Sequence, residues 1–256
     1  MWDGISYEAR AKKLRRDTID LAVEYNNGHI ASAFSIVEIL IAVFDNFDWK
    51  HDRFILSKGH GCLSYYAILR EMGFNPKISG HPDIQPEQGI PCTTGSLGHG
   101  LPIGVGMALA KKLKGEPGTV YVLMGDGECQ EGTTWESINL AVHHELDNLT
   151  VLLDRNGFQA LGKTNDILNI RTYQFVFRLL GCLEVDANGH NIYDLKVALR
   201  CKDDSKCFGI PDKYQPKFIT IFTTKGKGLP FMENKPEWHN KMPNQEQLEE
   251  AYRILA

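Results

Sequence analysis

The sequence predicts a three-layer α/β/α domain with a mainly parallel central sheet. Two observations carry this: short runs that are apolar throughout, and helical stretches that alternate with them. A strand with no polar face has to be covered on both sides, which is the situation of a parallel sheet between two helix layers. Composition agrees, since 256 residues that are 43% hydrophobic and 23% charged, with 24 glycines against 11 prolines, exclude disorder and collagen-like structure. No repeat, low-complexity tract or linker divides the chain, so one domain over residues 1–256 is expected.

Residues 7–25 read as a helix that stops at Asn26-Asn27-Gly28, with Lys12, Lys13, Arg15 and Arg16 on its solvated face. Ser35-Ile36-Val37-Glu38 reads as a capping box that opens the apolar run to Phe44. Gly59-His60-Gly61 interrupts, a helix follows to Met72, and Gly73 is its natural stop. From Gly80 to Gly100 there is no period, and an ordered loop of that length is usually functional. Helix is expected again from Ile103 to Leu113, strand from Thr119 to Met124, helix over 133–145 and strand from Leu149 to Leu153. A helix near 172–180 precedes the run Cys182–Val185, Asn188-Gly189 turns into a helix over 191–201, and Lys217–Phe222 makes one more strand. Segment 203–216 looks like an irregular insert, and an amphipathic helix follows from Asn244.

Charge and cysteine usage narrow the function. With 28 basic and 32 acidic side chains the net charge is −4, without a run of one sign, so a nucleic-acid or anionic-membrane surface is not expected. The charged start has no apolar core region, and no stretch has the length of a spanning helix, which points to a cytoplasmic protein. Cys62, Cys92, Cys129, Cys182, Cys201 and Cys207 form no C-x-x-C pair, so reduced and mostly buried thiols are expected.

Tyr121 to Gly157 is the most informative stretch. One buried strand ends in Gly125-Asp126-Gly127 and the next ends in Asp154-Arg155-Asn156-Gly157. In a parallel sheet both ends lie on the carboxyl edge, where open α/β sheets bind ligands. Asp126 and Asn156 then face one small volume, and a carboxylate, an amide oxygen and a backbone carbonyl form a hard oxygen set suited to Mg²⁺ or Ca²⁺ beside phosphate. Gly125 and Gly127 leave room for the anion.

G-D-G followed after about thirty residues by Asn resembles the thiamine-diphosphate signature, and GDGECQEGTTWESINLA is similar to its transketolase form. Other segments resemble that family in the same order: Gly28-His29 before SAFSIVEIL, Asp52-Arg53-Phe54-Ile55-Leu56-Ser57-Lys58-Gly59-His60, Gly80-His81-Pro82-Asp83, and Thr93-Thr94-Gly95-Ser96-Leu97-Gly98-His99-Gly100. Thr224-Lys225-Gly226-Lys227-Gly228 and then Trp238-His239 complete the set.

The resemblance implies the thiamine-diphosphate-binding fold, in its diphosphate-binding (PP) module. It implies that Asp126, Asn156 and the carbonyl of Phe158 hold Mg²⁺ on the diphosphate, with His60, Gly125 and Gly127 beside it. Gly95 and Leu97 would line the cofactor near its aminopyrimidine. His29, His81 and His239 would line the channel above the thiazolium and handle protons and hydroxyls of a ketose, a task suited to groups that titrate near neutrality. The resemblance places Glu131 and Glu136 at the subunit interface, linking two cofactor sites, with dipole compensation in the first turns of their helix as the alternative. Gly98, Gly100, Gly104 and Gly106 read as a flexible entry to a helix. His143, His144 and His190 have no matched role and are taken as structural, while His51 and His99 stay open. Trp135, Trp238 and the run 175–177 read as packing or interface residues.

No segment resembles the pyrimidine-binding module that full-length members of the family also carry. The expected function is therefore that of the N-terminal subunit of a two-subunit transketolase, which moves a two-carbon ketol unit from a ketose (phosphate) donor to an aldose. It would act only with a separate C-terminal subunit, in an α₂β₂ assembly. The alternatives are another thiamine-diphosphate enzyme, of deoxyxylulose-phosphate-synthase or 2-oxoacid-dehydrogenase type, or a cofactor-binding module without catalysis. Two departures bear on the substrate: the short connection between Trp49 and Asp52, and Leu161-Gly162-Lys163-Thr164 in place of a D-G-x-T turn, both expected near the channel.

Overall fold

The computed structural model describes residues 6–169, 173–201 and 215–256. Most of the irregular insert and Cys207 lie outside them. Five strands, β1 (Arg53–Leu56), β2 (Val120–Gly125), β3 (Leu149–Arg155), β4 (Leu183–Asn188) and β5 (Lys217–Phe222), form one sheet in the order β1-β2-β3-β5-β4. All four pairings are parallel, and the register sets Gly125 opposite Asp154.

Alternation across the sheet builds two cores. Phe54, Leu56, Leu123, Leu152, Ile219 and Ile221 face the helices α1 (Tyr7–Tyr25), α2 (Ile30–Phe34), α3 (Val37–Phe44) and α4 (Cys62–Glu71). Ile55, Val120, Val122, Met124, Val151, Leu153 and Phe218 face α5 (Gly100–Lys114) and α6 (Gly132–His143) on the other side. The inner strands β2, β3 and β5 are covered on both faces and need no polar side, which explains their apolar runs, whereas the edge strand β4 carries Glu184 at a partly exposed position and Asp186 and Asn188 at exposed ones. The short helix α7 (Thr164–Ile167) follows β3, α8 (Tyr173–Leu180) precedes β4, α9 (Ile192–Arg200) links β4 to β5, and α10 (Gln245–Ile254) starts from the N-cap Asn244.

Several expectations are corrected. Strand β1 is hidden in the sequence, because only four residues pair and polar residues bracket them. The segment Ser35–Glu38 is not a capping box: the Ser35 hydroxyl donates to Asp154 Oδ2 at 2.7 Å, and Glu38 turns to Arg15 at 2.8 Å. Arg15 is accordingly buried rather than solvated. Trp49 and Asp52 sit in an aromatic cluster at the start of β1, lining a separate cavity with Phe47 and Phe74, so their connection is remote from the channel. Three glycines expected to be flexible are instead points of close packing: a Cβ would lie 2.6 Å from that of Glu131 at Gly98, 2.4 Å from Ser57 Oγ at Gly100 and 2.3 Å from Val122 Cγ2 at Gly104. Cys62, Cys129 and Cys182 are buried free thiols, while Cys92 and Cys201 are partly exposed. Among the described residues no helix is long and apolar enough to cross a membrane.

Candidate functional site

The carboxyl ends of three neighbouring strands converge on one cavity of about 360 Å³. Lys58 and His60 follow β1, Gly125 to Glu128 end and follow β2, and Asn156 with Phe158 to Leu161 follows β3. Loops add His29, His81, Gly95, Leu97, Gln130, Glu131 and His239. Every residue expected to touch cofactor, metal or substrate therefore lines one space. Glu131 is exposed at its edge, and Glu136 lies on the exposed face of α6 outside it.

Asp126 and Asn156 form the floor. Asp126 Oδ2 accepts from the Gly157 N–H at 2.8 Å and from the Thr164 hydroxyl at 3.0 Å. The Leu161–Thr164 turn thus belongs to the site through Thr164. Asn156 donates to Asp154 Oδ2 at 2.9 Å, and its Oδ1 accepts from the Phe158 N–H at 3.0 Å. Burial, then the nearby Asp154 carboxylate, push the Asp126 carboxyl up to about 6. Asp154 itself is fully buried; burial alone would raise its carboxyl, but the ion pair with Lys58 and the donors Thr223 and Ser35 hold it below its ordinary value.

This floor fits a divalent cation. Lys58 pairs directly with Asp154, and its charge lowers the Asp126 carboxyl less than burial raises it, so a bound cation would favour the ionised Asp126. Gly127 adds room at the same place, where a Cβ would meet the Gln159 side chain at 3.2 Å. Gln159 Nε2 is buried and finds no protein acceptor, which suits an anion such as diphosphate in the cavity. Among the described residues no group of three His, Cys, Asp or Glu could hold a metal. A set that could hold a cation here is the Asp126 carboxylate, the Asn156 amide oxygen and a backbone carbonyl, which would leave positions for phosphate.

The histidines form the upper wall. His29 lies with its ring centroid 6.0 Å from His60, 6.0 Å from His81 and 5.8 Å from His239, and His60 lies 5.2 Å from His239. Their hydrogen bonds fix opposite tautomers in two of them. Asn27 Oδ1 accepts from the His29 backbone N–H at 3.1 Å and lies 3.0 Å from Nδ1. That oxygen is an acceptor, so Nδ1 carries the hydrogen and Nε2 keeps its lone pair. His239 is the reverse, since Lys225 Nζ lies 2.9 Å from its Nδ1 and an ammonium can only donate. Burial and then Lys225 bring His239 down to about 4; burial, His81 and Lys225 lower His29. Burial, then Lys58, His239 and other neighbouring cations, lower His60 well below its usual value. Lys225 in turn is brought down to about 8 by burial and Lys58. At neutral pH, His29, His60 and His239 thus present uncharged imidazoles to the cavity.

Some residues that shape the site were given no role from the sequence. Lys58 and Lys225 lie within recognised segments, but only the fold shows that they reach Asp154 and His239. Asp154 gathers Ser35, Lys58, Asn156 and Thr223 around one carboxylate. His190 joins Glu38, 3.2 Å from Nδ1, to the Thr224 N–H, 2.8 Å from Nε2, in keeping with a structural role. His51 pairs with Asp48, and His99 lies beside Ser96. Trp135 stacks on buried Phe177, and Trp238 is buried, whereas Phe175 is exposed.

Comparison with known proteins agrees with this geometry. Residues 6–255 match the family model described as transketolase, thiamine diphosphate binding domain. A protein of Actinobacillus succinogenes named as a subunit of apulose-4-phosphate transketolase is 35% identical over 97% of this chain and 95% of its own length. The 6-deoxy-6-sulfo-D-fructose transketolase subunit SqwG of a Clostridium species is 32% identical over 96% of this chain and 95% of its length. A crystal structure of the Campylobacter jejuni transketolase superposes with a TM-score of 0.84 at 26% identity, covering 98% of this chain but 43% of that one. The chain thus spans less than half of that solved transketolase, and nearly the whole of the relatives named as subunits. In sequence and in fold, the chain belongs to the transketolase family, whose thiamine-diphosphate-binding domain it matches over residues 6–255.

Proposed function

We propose that this chain is the diphosphate-binding subunit of a two-subunit transketolase, moving a two-carbon ketol unit from a ketose or ketose phosphate to an aldose. The observation that carries the reading is the cavity itself, with Asp126 and Asn156 at its floor beneath a wall of clustered histidines. A pyrimidine-binding module would come from a separate C-terminal subunit, most simply in an α₂β₂ assembly. The extent of the match to relatives named as subunits supports this. Glu131 and Glu136 would face that assembly's interface; both are exposed, and so is Leu140 one turn beyond Glu136.

Thiamine diphosphate supplies the electron sink that cleavage beside a carbonyl requires. Asp126, Asn156 and the Phe158 carbonyl would hold Mg²⁺ or Ca²⁺ on its diphosphate, with His60, Gly125 and Gly127 against the phosphate oxygens. Gly95 and Leu97 would line its ring end. His29 offers the Nε2 lone pair as a base for a donor hydroxyl, and His239 offers an Nε2–H to a substrate oxygen. One wall thereby presents an acceptor and a donor at once. His81, beside His29, would bind a further hydroxyl.

A donor screen on the reconstituted pair tests the reaction. Turnover with xylulose 5-phosphate and an aldose, without turnover of pyruvate, is expected. Pyruvate consumption without ketol transfer would assign the site to another thiamine-diphosphate reaction.

A further inference from the structure

Glu128 is buried against the cavity, 1% exposed, and no part of the proposed chemistry uses it. Its carboxylate caps its own segment at Gly125 and ties it to two distant segments of the wall. Oε1 accepts from the Gly98 N–H at 2.9 Å and from the Ser57 hydroxyl, and Oε2 accepts from the Gly125 N–H at 2.8 Å. Ser57 leads into Lys58 and His60, Gly125 leads into Asp126, and Gly98 ends the loop that presents Gly95 and Leu97.

Both backbone groups of Gly98 are held. Its N–H goes to Glu128 and its C=O accepts from the Thr133 hydroxyl at 2.8 Å, while the Thr134 hydroxyl holds the Glu128 carbonyl at 2.7 Å. That grip replaces regular structure. Residues 93–98 form neither helix nor strand, and Gly95 and Gly98 take φ of 139° and 78°, where other residues would be strained. A carboxylate suits this place because both of its oxygens accept; an amide would set an NH₂ against one of the N–H groups.

We propose that Glu128 is a positioning residue that ties the ring end of the cofactor site to its diphosphate end, holding the Gly95–Gly98 loop against Ser57 and Gly125. The proposal rests on the thiamine-diphosphate reading of the cavity, whose diphosphate floor keeps its own ligands.

The test uses Glu128→Gln and Thr133→Val, the second touching the same residue, Gly98, without contacting Gly125. In the ligand-free full chain, hydrogen exchange across residues 93–100 is expected to quicken about tenfold in both variants, the worth of one hydrogen bond, with exchange across 149–155 unchanged. In the complex of Thr133→Val with the partner subunit, affinity for thiamine diphosphate falls about tenfold and affinity for magnesium pyrophosphate stays within about twofold, whereas Glu128→Gln, which also loosens Gly125, loses at least as much affinity for thiamine diphosphate. Unchanged exchange at 93–100, or an equal loss of both ligands in Thr133→Val, overturns the proposal. Failure of the wild-type complex to bind thiamine diphosphate would overturn the cofactor reading instead, and the exchange result would still decide whether Glu128 holds the loop.

Discussion

Lys225 Nζ lies 2.9 Å from His239 Nδ1, and this contact makes His239 a neutral donor at the cavity wall. The ammonium disfavours a second positive charge beside it, adding to the effect of burial, which together bring His239 down to about 4. Lys225→Met removes the cation and retains the stem. The His239 pKa then rises from about 4 toward its ordinary 6.5, read from its ring protons by NMR titration. A value that stays at 4 or falls would show that Lys225 does not govern this ring.

Asp126→Ala removes the charged member of the floor and no core volume. Metal-dependent binding of thiamine diphosphate to the complex is expected to disappear in calorimetry. The fold survives, with a melting temperature within about 4 °C of wild type, because the lost bonds to Gly157 and Thr164 are offset by relief of a carboxylate that burial and Asp154 had raised. Unchanged cofactor affinity would displace the metal site from Asp126.

Glu38 gives the pH dependence of stability. Burial alone would raise its carboxyl, but Arg15 and His190 bring it down to about 2 from an ordinary 4.5. A carboxyl lowered on folding stabilises the protein above its unfolded pKa, and the contribution is lost as pH falls from 4.5 through 2. Glu38→Gln is therefore expected to cost on the order of 3 kcal/mol in urea unfolding at pH 7, with the gap to wild type closing below pH 4.5. A gap that widens on acidification would reverse the sign of the assignment.

Two glycines of α5 are expected to differ in sign. Gly104→Ala drives a methyl to 2.3 Å from Val122 Cγ2 and costs about 1–3 kcal/mol. Gly106→Ala meets nothing within 4 Å and gains about 0.5–1 kcal/mol from helix propensity. Thermal unfolding of the isolated chain separates them, and equal effects would contradict the packing of α5 on β2.

What was legible in the sequence follows the range of the interactions. Asp126 and Asn156 stand out because each ends an apolar run, and the parallel sheet does the rest by setting Gly125 opposite Asp154. The histidines were legible through their local segments. The local pattern at Ser35 suggests a cap because its true partner, Asp154, lies 119 residues away, where no local pattern records it. Arg15 is hidden for the same reason, its neighbours Lys12 and Arg16 being exposed while it turns inward to Glu38. Glu128 is not legible because, beside the local Gly125 N–H, its other donors come from Ser57 and Gly98, 71 and 30 residues away.

The central claim is that this chain supplies the diphosphate half of an active site completed by another subunit. Ketol transfer by the purified chain, at micromolar concentration with Mg²⁺ and thiamine diphosphate, measures it directly. The expected result is no turnover until the pyrimidine-binding subunit is added, then activity that saturates with it. Robust turnover by this chain alone would contradict the claim.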